Sequence, residues 1–118
     1  MTLKYAHESE YFFFAQLLVH HVERYINKHP GTQDAIFDLR DIYDLFRQDF
    51  ASTTTNLEAI LNIADEYRVE TLDGDQKLIR HYTIDSKNNS LLLDFNVDAL
   101  ASLQQGKSLI EPDATSHE

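Results

Sequence analysis

The chain contains no cysteine, only three glycines, and half as many basic as acidic residues. Without cysteine, a disulfide framework, a thiolate zinc site and a cysteine nucleophile are all excluded. The glycines Gly31, Gly74 and Gly106 stand far apart, so the sequence has no glycine-rich phosphate loop. It also lacks the Gly-x-Ser-x-Gly motif of a serine nucleophile. We therefore expect a protein that is not an enzyme and that holds no cofactor.

Long apolar runs are missing as well. The longest run, residues 11–19, is interrupted by Gln16 and is too short to span a bilayer. The first ten residues are polar and include Glu8 and Glu10, which is unlike a secretory leader. A chain of 118 residues predicts one domain. We expect a cytoplasmic protein with no membrane partner.

The excess of acid bears on the choice of partner. Twenty Asp and Glu residues against ten Lys and Arg residues give a formal net charge of −10. Affinity for DNA comes largely from Lys and Arg contacts to phosphate, so duplex DNA is the less expected partner. A local basic patch can still bind DNA, and surface acid can also serve solubility alone. Both interpretations stay open at this stage.

The middle of the chain predicts a short strand at residues 36–39 and then two helices. From Leu39 onward the apolar spacing is helical. A polar break follows at residues 51–55, where Thr55 and Glu58 fit a capping box at the start of a second helix, residues 55–68. The apolar stripe of that helix is Leu57, Ile60, Leu61, Ala64 and Tyr67. Two short helices joined by a polar turn are typical of a helix-turn-helix unit.

The flanking elements are predicted from period and turn signals. A long helix over residues 8–28 starts at Ser9 as N-cap and ends before Pro30 and Gly31. A short strand at residues 69–72 precedes the turn around Gly74. A β-hairpin joins residues 78–84 and 91–95 through a polar turn at residues 86–89. Leu78, Arg80, Tyr82 and Ile84 are expected on one face of this hairpin. Asn96 caps a last helix, which ends near Gly106, and the chain is expected to loosen from Lys107.

These elements predict an α+β, winged-helix-like single domain over residues 1–110, with a flexible acidic tail at residues 111–118. Its parts are the long N-terminal helix, the helix-turn-helix, the β-hairpin wing and the C-terminal helix. Residues 36–45 (IFDLRDIYDL) and 91–100 (LLLDFNVDAL) resemble the N-terminal winged-helix domain of plasmid replication initiator proteins. The resemblance spans roughly residues 36–109 at the level of pattern. It implies a winged-helix fold and a DNA-binding regulator or replication accessory function.

The charge of the second helix argues against DNA as its partner. A helix-turn-helix normally reads DNA with that helix, but here it carries Glu58, Asp65 and Glu66 against Arg68. We therefore predict these three acids as the contact for a protein partner with a basic surface. Such a protein acts as an inhibitor or DNA mimic on a nucleic-acid-handling complex, as phage- and plasmid-borne inhibitors do as a class.

The alternative function is a winged-helix DNA-binding regulator or replication accessory protein. Its contacts to phosphate would come from Lys77, Arg80 and Lys87, which lie along the predicted hairpin. The competing interpretation of these three cations is internal salt bridges or simple solvation.

Tyr11, Phe12 and Phe13 widen the apolar sector of the first helix, which indicates either a homodimer contact or a second buried layer.

His20 and Glu23 share a helix face, with His21 turned away and His7 nearby in sequence. A zinc site needs three or four convergent ligands, so we predict no metal and expect the histidines at the edge of the core. For His81, on the hairpin, we expect packing or surface exposure. Asp38, Asp41 and Asp44 are interpreted as a solvated face.

Overall fold

The computed structural model describes residues 2–46 and 57–112, with side chains described from residue 11 onward. Within these residues lie four helices and six strands. In chain order they are α1 (Thr2–Lys28), β1 (Asp34–Asp38), α2 (Leu39–Leu45), α3 (Leu57–Ala64), β2 (Arg68–Thr71), β3 (Gly74–Lys77), β4 (Ile79–Asp85), β5 (Ser90–Phe95), α4 (Val97–Gln104) and β6 (Leu109–Ile110). The predicted α+β class is confirmed.

Helix α1 is longer than predicted. It begins at Thr2, so Ser9 lies inside the helix and the prediction that it is the N-cap is wrong. The end at Lys28 agrees with the prediction, and Gly31 follows with φ of 93°. That positive φ suits a residue without a Cβ and turns the chain toward β1. One face of α1 is buried in the core, with Phe14, Leu18 and Val22 among its members.

The strands form two antiparallel sheets of three strands each. The first sheet has the order β1-β5-β4 and the second β3-β2-β6. The predicted hairpin is confirmed as β4 and β5, and Asn89 takes a φ of 53° in its turn. Strands β3 and β6 were not predicted. The chain does not loosen from Lys107, because Leu109 packs against the core and pairs with Val69 of β2.

A β-bulge corrects the predicted faces of the hairpin. The register shifts between Ile79 and His81, so Arg80 leaves the alternation. Leu78 and Ile79 are both buried, whereas Arg80 is exposed. Arg80 therefore does not share the core-facing side with Tyr82, as strict alternation predicted.

Helix α3 is the most deeply buried of the short helices. Leu57, Ile60, Leu61 and Ala64 are buried as predicted. The helix ends at Ala64, so Tyr67 is buried beyond its end and Arg68 begins β2 rather than closing the helix. α3 packs chiefly on α1. The polar break at residues 51–55, with the capping residue Thr55, lies outside the described residues, as do residues 113–118 of the predicted tail.

Side-chain N-caps start helices α2 and α4. Asn96 accepts a hydrogen bond from the Asp98 amide at the start of α4 and donates one to Gln76 Oε1 at 3.1 Å. Asp38 accepts from the Arg40 amide at 2.8 Å and starts α2 directly after β1. These caps fix both helices at the ends of first-sheet strands.

Candidate functional site

The three predicted partner-binding acids do not form one free surface. Glu58 is exposed in the first turn of α3, and Asp65 and Glu66 follow the helix, both half-buried. Asp65 forms an ion pair with Lys77 of β3 at 2.5 Å between Oδ2 and Nζ. That pair joins the segment after α3 to the second sheet, so Asp65 contributes to the fold.

A side-chain hydrogen bond links the outward side of α3 to β4. The Tyr82 hydroxyl donates to Asn62 Oδ1 at 2.7 Å. Burial raises the pKa of Tyr82, and the nearby carboxylates of Asp65 and Glu58 raise it further. Within α3, only Glu58 and Asn62 are fully exposed. This surface offers one carboxylate and one amide to a partner.

The three predicted phosphate-binding cations are spread out. Lys77 is held by Asp65, and Arg80 occupies the bulge near it; Arg68, Lys77 and Arg80 line one depression with Asp75. Lys87 lies in the turn at the far end of β4, roughly 20 Å from Arg80 at the usual rise per residue of a strand. The structure therefore brings two of the three together and separates the third.

The aromatic residues near the start of α1 divide between core and surface. Tyr11 and Phe12 are half-buried and pack against the core, whereas Phe13 is 49% exposed. The Phe13 ring centroid lies 6.0 Å from that of Phe14. A homodimer contact through these residues stays a prediction.

The histidines of α1 face different neighbours. His20 Nδ1 lies 3.6 Å from Glu23 Oε1, so the predicted shared face is confirmed. His21 turns away and contacts the Phe37 ring, and burial there, with help from Arg24, lowers its pKa. Among the residues whose side chains are described, no group of three or more metal-ligating side chains converges. The side chain of His7 is not among them. His81 is exposed on β4.

A polar cleft of about 480 Å³ opens between α1 and the segment that follows α4. His20 and Glu23 line one wall, and Tyr67, Lys107 and Glu111 line the other. Gln16 Nε2, on α1, donates to Glu111 Oε2 at 3.4 Å. Burial raises the pKa of Tyr67 to about 12, and the Glu111 carboxylate adds to the effect. Tyr67 is therefore a neutral hydrogen-bonding group at physiological pH, which suits packing better than proton transfer.

The outward side of the first sheet, which we name the outer face, has a regular pattern of charge. The register places nine residues in three rows across β1, β5 and β4: Asp34, Asp94 and His81; Ile36, Leu92 and Thr83; Asp38, Ser90 and Asp85. The alternate positions on β1 and β5, such as Phe37 and Leu93, point into the core. The outer face is thus a central apolar row between two rows that carry carboxylates.

The carboxylates at one end of the outer face serve local structure. Asp38 caps α2 and accepts from Asn89 Nδ2 at 3.2 Å, and Asp85 accepts from Asn88 Nδ2 at 2.8 Å. The Arg40 amide, and then its guanidinium, hold the pKa of Asp38 below its usual value. Hydrogen bonds from the Asn88 side chain and amide do the same for the pKa of Asp85. Both acids are half-buried, and their lowered pKa values keep them charged at neutral pH.

The carboxylates at the other end have no such role. Asp34 and Asp94 stand directly opposite each other on β1 and β5. They line a shallow depression of about 450 Å³ together with Asp98, Arg80 and the exposed Val97. Within the described part of the chain, neither Asp34 nor Asp94 has a side-chain hydrogen bond or an ion pair within 4 Å. Like charges placed directly across two strands weaken the pairing, so this arrangement costs stability.

Sequence reasoning missed the outer face, although part of its signal is visible. Asp34, Ile36 and Asp38 alternate with apolar residues along β1, which by strand period puts them on one side. The partner row on β5 depends on a register between strands far apart in sequence. That register could not be obtained from local pattern.

Comparisons with models of known protein families, with curated proteins and with solved structures gave no match to this chain. Among the described helices, none combines the length and the apolar character needed to cross a lipid bilayer.

Proposed function

We propose that this protein is a small, acidic, non-enzymatic interaction protein that binds a protein partner with a basic surface. The observation that carries the proposal is the distribution of charge on the folded chain. Its cations are dispersed or bound by its own acids, as Lys77 is by Asp65, whereas Asp34 and Glu58 are exposed and the half-buried Asp94 lies on the outer face. Opposite charge on a partner speeds encounter and favours the correct orientation.

A basic surface that normally accepts nucleic acid fits this charge best. Carboxylates arranged on a rigid fold replace phosphates and occupy a groove lined by Lys and Arg. The protein would then act as an inhibitor or DNA mimic on a nucleic-acid-handling complex. The interaction is electrostatic in part, so its rate of association should fall as salt is raised.

The alternative is a winged-helix DNA-binding regulator or replication accessory protein, and one observation favours it. The long helix α1, the strand β1 and the two short helices α2 and α3 follow in the chain order of a winged helix, and β1 pairs with β5, the second strand of the β4–β5 hairpin. Strands β2 and β3 stand between α3 and that hairpin, which departs from the winged-helix order. In that fold, α3 would enter the DNA and Lys87 would lie at the wing tip. Against it, Glu58 is the exposed charged side chain on α3.

A mobility-shift titration with duplex DNA at about physiological salt separates the two functions. A specific DNA binder neutralises several phosphates and shows a steep salt dependence. We expect weak binding with a shallow salt dependence, because three scattered cations cannot track one phosphate backbone. Sub-micromolar, salt-sensitive binding that is lost in Arg80→Ala and Lys87→Ala would replace the proposal with the DNA-binding function.

The partner itself is sought by affinity capture on the full chain followed by mass spectrometry. The capture is repeated with Glu58→Lys and with a matched reversal, Asp73→Lys, in the exposed turn between β2 and β3. A partner that contacts α3 is lost with the first variant and kept with the second. Equal recovery by both variants would exclude the α3 surface, and recovery only of acidic proteins would contradict the proposed function.

A further inference from the structure

We propose that the outer face of the first sheet is the docking surface, and that its occupant is a basic amphipathic helix of the partner protein. This inference rests on the proposed function and names the surface and the partner segment for it. It replaces α3 as the principal contact.

The first argument is the apolar row at the centre of the outer face. Ile36 is 68% exposed and Leu92 is 36% exposed, and the two stand directly opposite each other on β1 and β5. Thr83 continues the row onto β4, and its hydroxyl lies 3.2 Å from His81 Nε2. Single exposed apolar side chains are common, but adjacent ones on a flat face form a patch that binding removes from water.

The second argument is the unpaired charge beside that row. Asp34 and Asp94 face each other, and Asp98 and Arg80 line the same depression. His81 stands opposite Asp94 on β4, but neither Asp34 nor Asp94 has an ion pair within 4 Å among the described residues. Some other acids of the fold do have a cation partner, as Asp65 has in Lys77. A Lys or Arg of a partner placed between Asp34 and Asp94 would relieve the repulsion between them. Binding would therefore regain the free energy that this repulsion costs the fold.

The geometry selects a helix as the occupant. Three strands are about 10 Å across from first to last, and each acidic row is about 7 Å from the apolar row along the strands. A helix about 10 Å in diameter that crosses the strands lies over the apolar row, and the long Lys and Arg side chains on its two flanks extend to the acidic rows. Its apolar stripe would lie on Ile36 and Leu92, with Lys and Arg on both flanks toward Asp34 and Asp94 on one side and Asp38 and Asp85 on the other. Arg40 already pairs with Asp38, but its side chain is largely exposed, so a partner cation can replace it at the Asp38 carboxylate.

Charge also excludes other occupants of this face. A second copy of this chain would place acidic rows against acidic rows, and its net charge of −10 adds to the repulsion. A nucleic acid is repelled for the same reason. A basic helix is the occupant that meets both the apolar row and the two acidic rows.

The test uses the full chain and a synthetic helical peptide of about 14 residues, with Leu on one face and Lys elsewhere. A control peptide has Ser in place of every Leu and keeps the same charge. Amide chemical shifts map the contact, and a fluorescence titration gives the dissociation constant. Two double variants are compared, Asp34→Asn with Asp94→Asn and, as the matched control, Asp73→Asn with Asp75→Asn, which removes equal charge from the exposed β2–β3 hairpin.

We expect shifts centred on β1 and β5 and about tenfold weaker binding for the outer-face double variant, against less than about twofold for the control. Ile36→Thr should weaken binding several-fold and Leu72→Thr, at a fully exposed position, should not. The Ser peptide should bind more weakly than the Leu peptide. Spectra of each variant show whether the fold is retained.

Absence of binding, shifts centred on α3, equal weakening by both double variants, or equal affinity for the two peptides would each overturn the docking surface. The proposed function is judged separately by the mobility-shift titration and the capture experiment. A partner lost with Glu58→Lys but kept with the outer-face variant would leave the function standing and remove this surface.

Discussion

The surface of α3 and the outer face of the first sheet are both acidic, but their carboxylates have different neighbours. Beside α3, Asp65 is bound by Lys77, and Asn62 accepts from Tyr82, so the polar groups hold α3 to its neighbours. On the outer face, Asp34 and Asp94 oppose each other beside exposed Ile36 and Leu92. An acid with a partner inside the fold stabilises the fold, whereas a pair of opposed acids is available to another molecule.

The comparison shows why net charge alone locates no site. The same excess of acid is consistent with structure at α3 and with recognition on the sheet. Contacts between separate elements distinguish the two: Asp65 lies beside Lys77 of β3, whereas the register of β1 and β5 sets Asp34 against Asp94.

The largest expected effect is on the free energy of unfolding, which should fall for a substitution on the inward side of α3 and hardly change for one on the outer face. Leu61 is fully buried in the core, so Leu61→Ala should lower the free energy of unfolding by about 2–5 kcal/mol. Ile36→Thr, on the outer face, should change it by less than about 0.5 kcal/mol. Urea denaturation of both variants measures the difference. A nearly unchanged midpoint for Leu61→Ala would show that the stripe on α3 is not in the core.

A smaller effect is expected at the ion pair beside α3. Asp65→Asn should destabilise the protein by about 0.2–1 kcal/mol, a modest value because the Lys77 side chain is partly exposed. A double-mutant cycle with Lys77→Met isolates the pair, and added salt should reduce the coupling. A coupling of zero at low salt would mean that Asp65 is as available to a partner as Asp34.

Local signals in the sequence predicted much of the fold. Apolar period gave α1 and the buried stripe of α3, Asn96 marked the start of α4, and the turn near Asn89 marked the hairpin. Strands β3 and β6 were missed because four and two residues are too few to show a period. The bulge at Arg80 locally reverses which side chains face the core, and residue propensities in the sequence do not predict a bulge at this position.

The candidate site was harder to predict than the fold. The acids of residues 55–68 drew attention because they lie together on one predicted helix. The pairing of Asp65 with Lys77 and the meeting of Asp34 with Asp94 both depend on contacts between separate elements. Sequence reasoning therefore found acidic residues, but it did not find which of them the fold leaves unpaired.

The next effect concerns pH and the one acid of the outer face that also caps a helix. Because the pKa of Asp38 is lowered in the fold, its stabilisation is full above the unfolded pKa of about 3.9 and is lost as pH falls through the folded value. Asp38→Asn keeps a capping oxygen but does not titrate. The stability gap between wild type and this variant should therefore shrink below about pH 4. Parallel urea midpoints from pH 7 to pH 3 would contradict this role for Asp38.

The most direct test of the central claim is the free energy of unfolding of Asp34→Asn with Asp94→Asn, measured in urea at low and high salt. If these acids are kept for a partner at a cost to the fold, the double variant should be more stable than wild type by roughly 0.2–1 kcal/mol at low salt. The gain should fade as salt screens the repulsion in wild type. A double variant that is less stable than wild type at low salt would show that Asp34 and Asp94 stabilise the fold, and it would contradict the account.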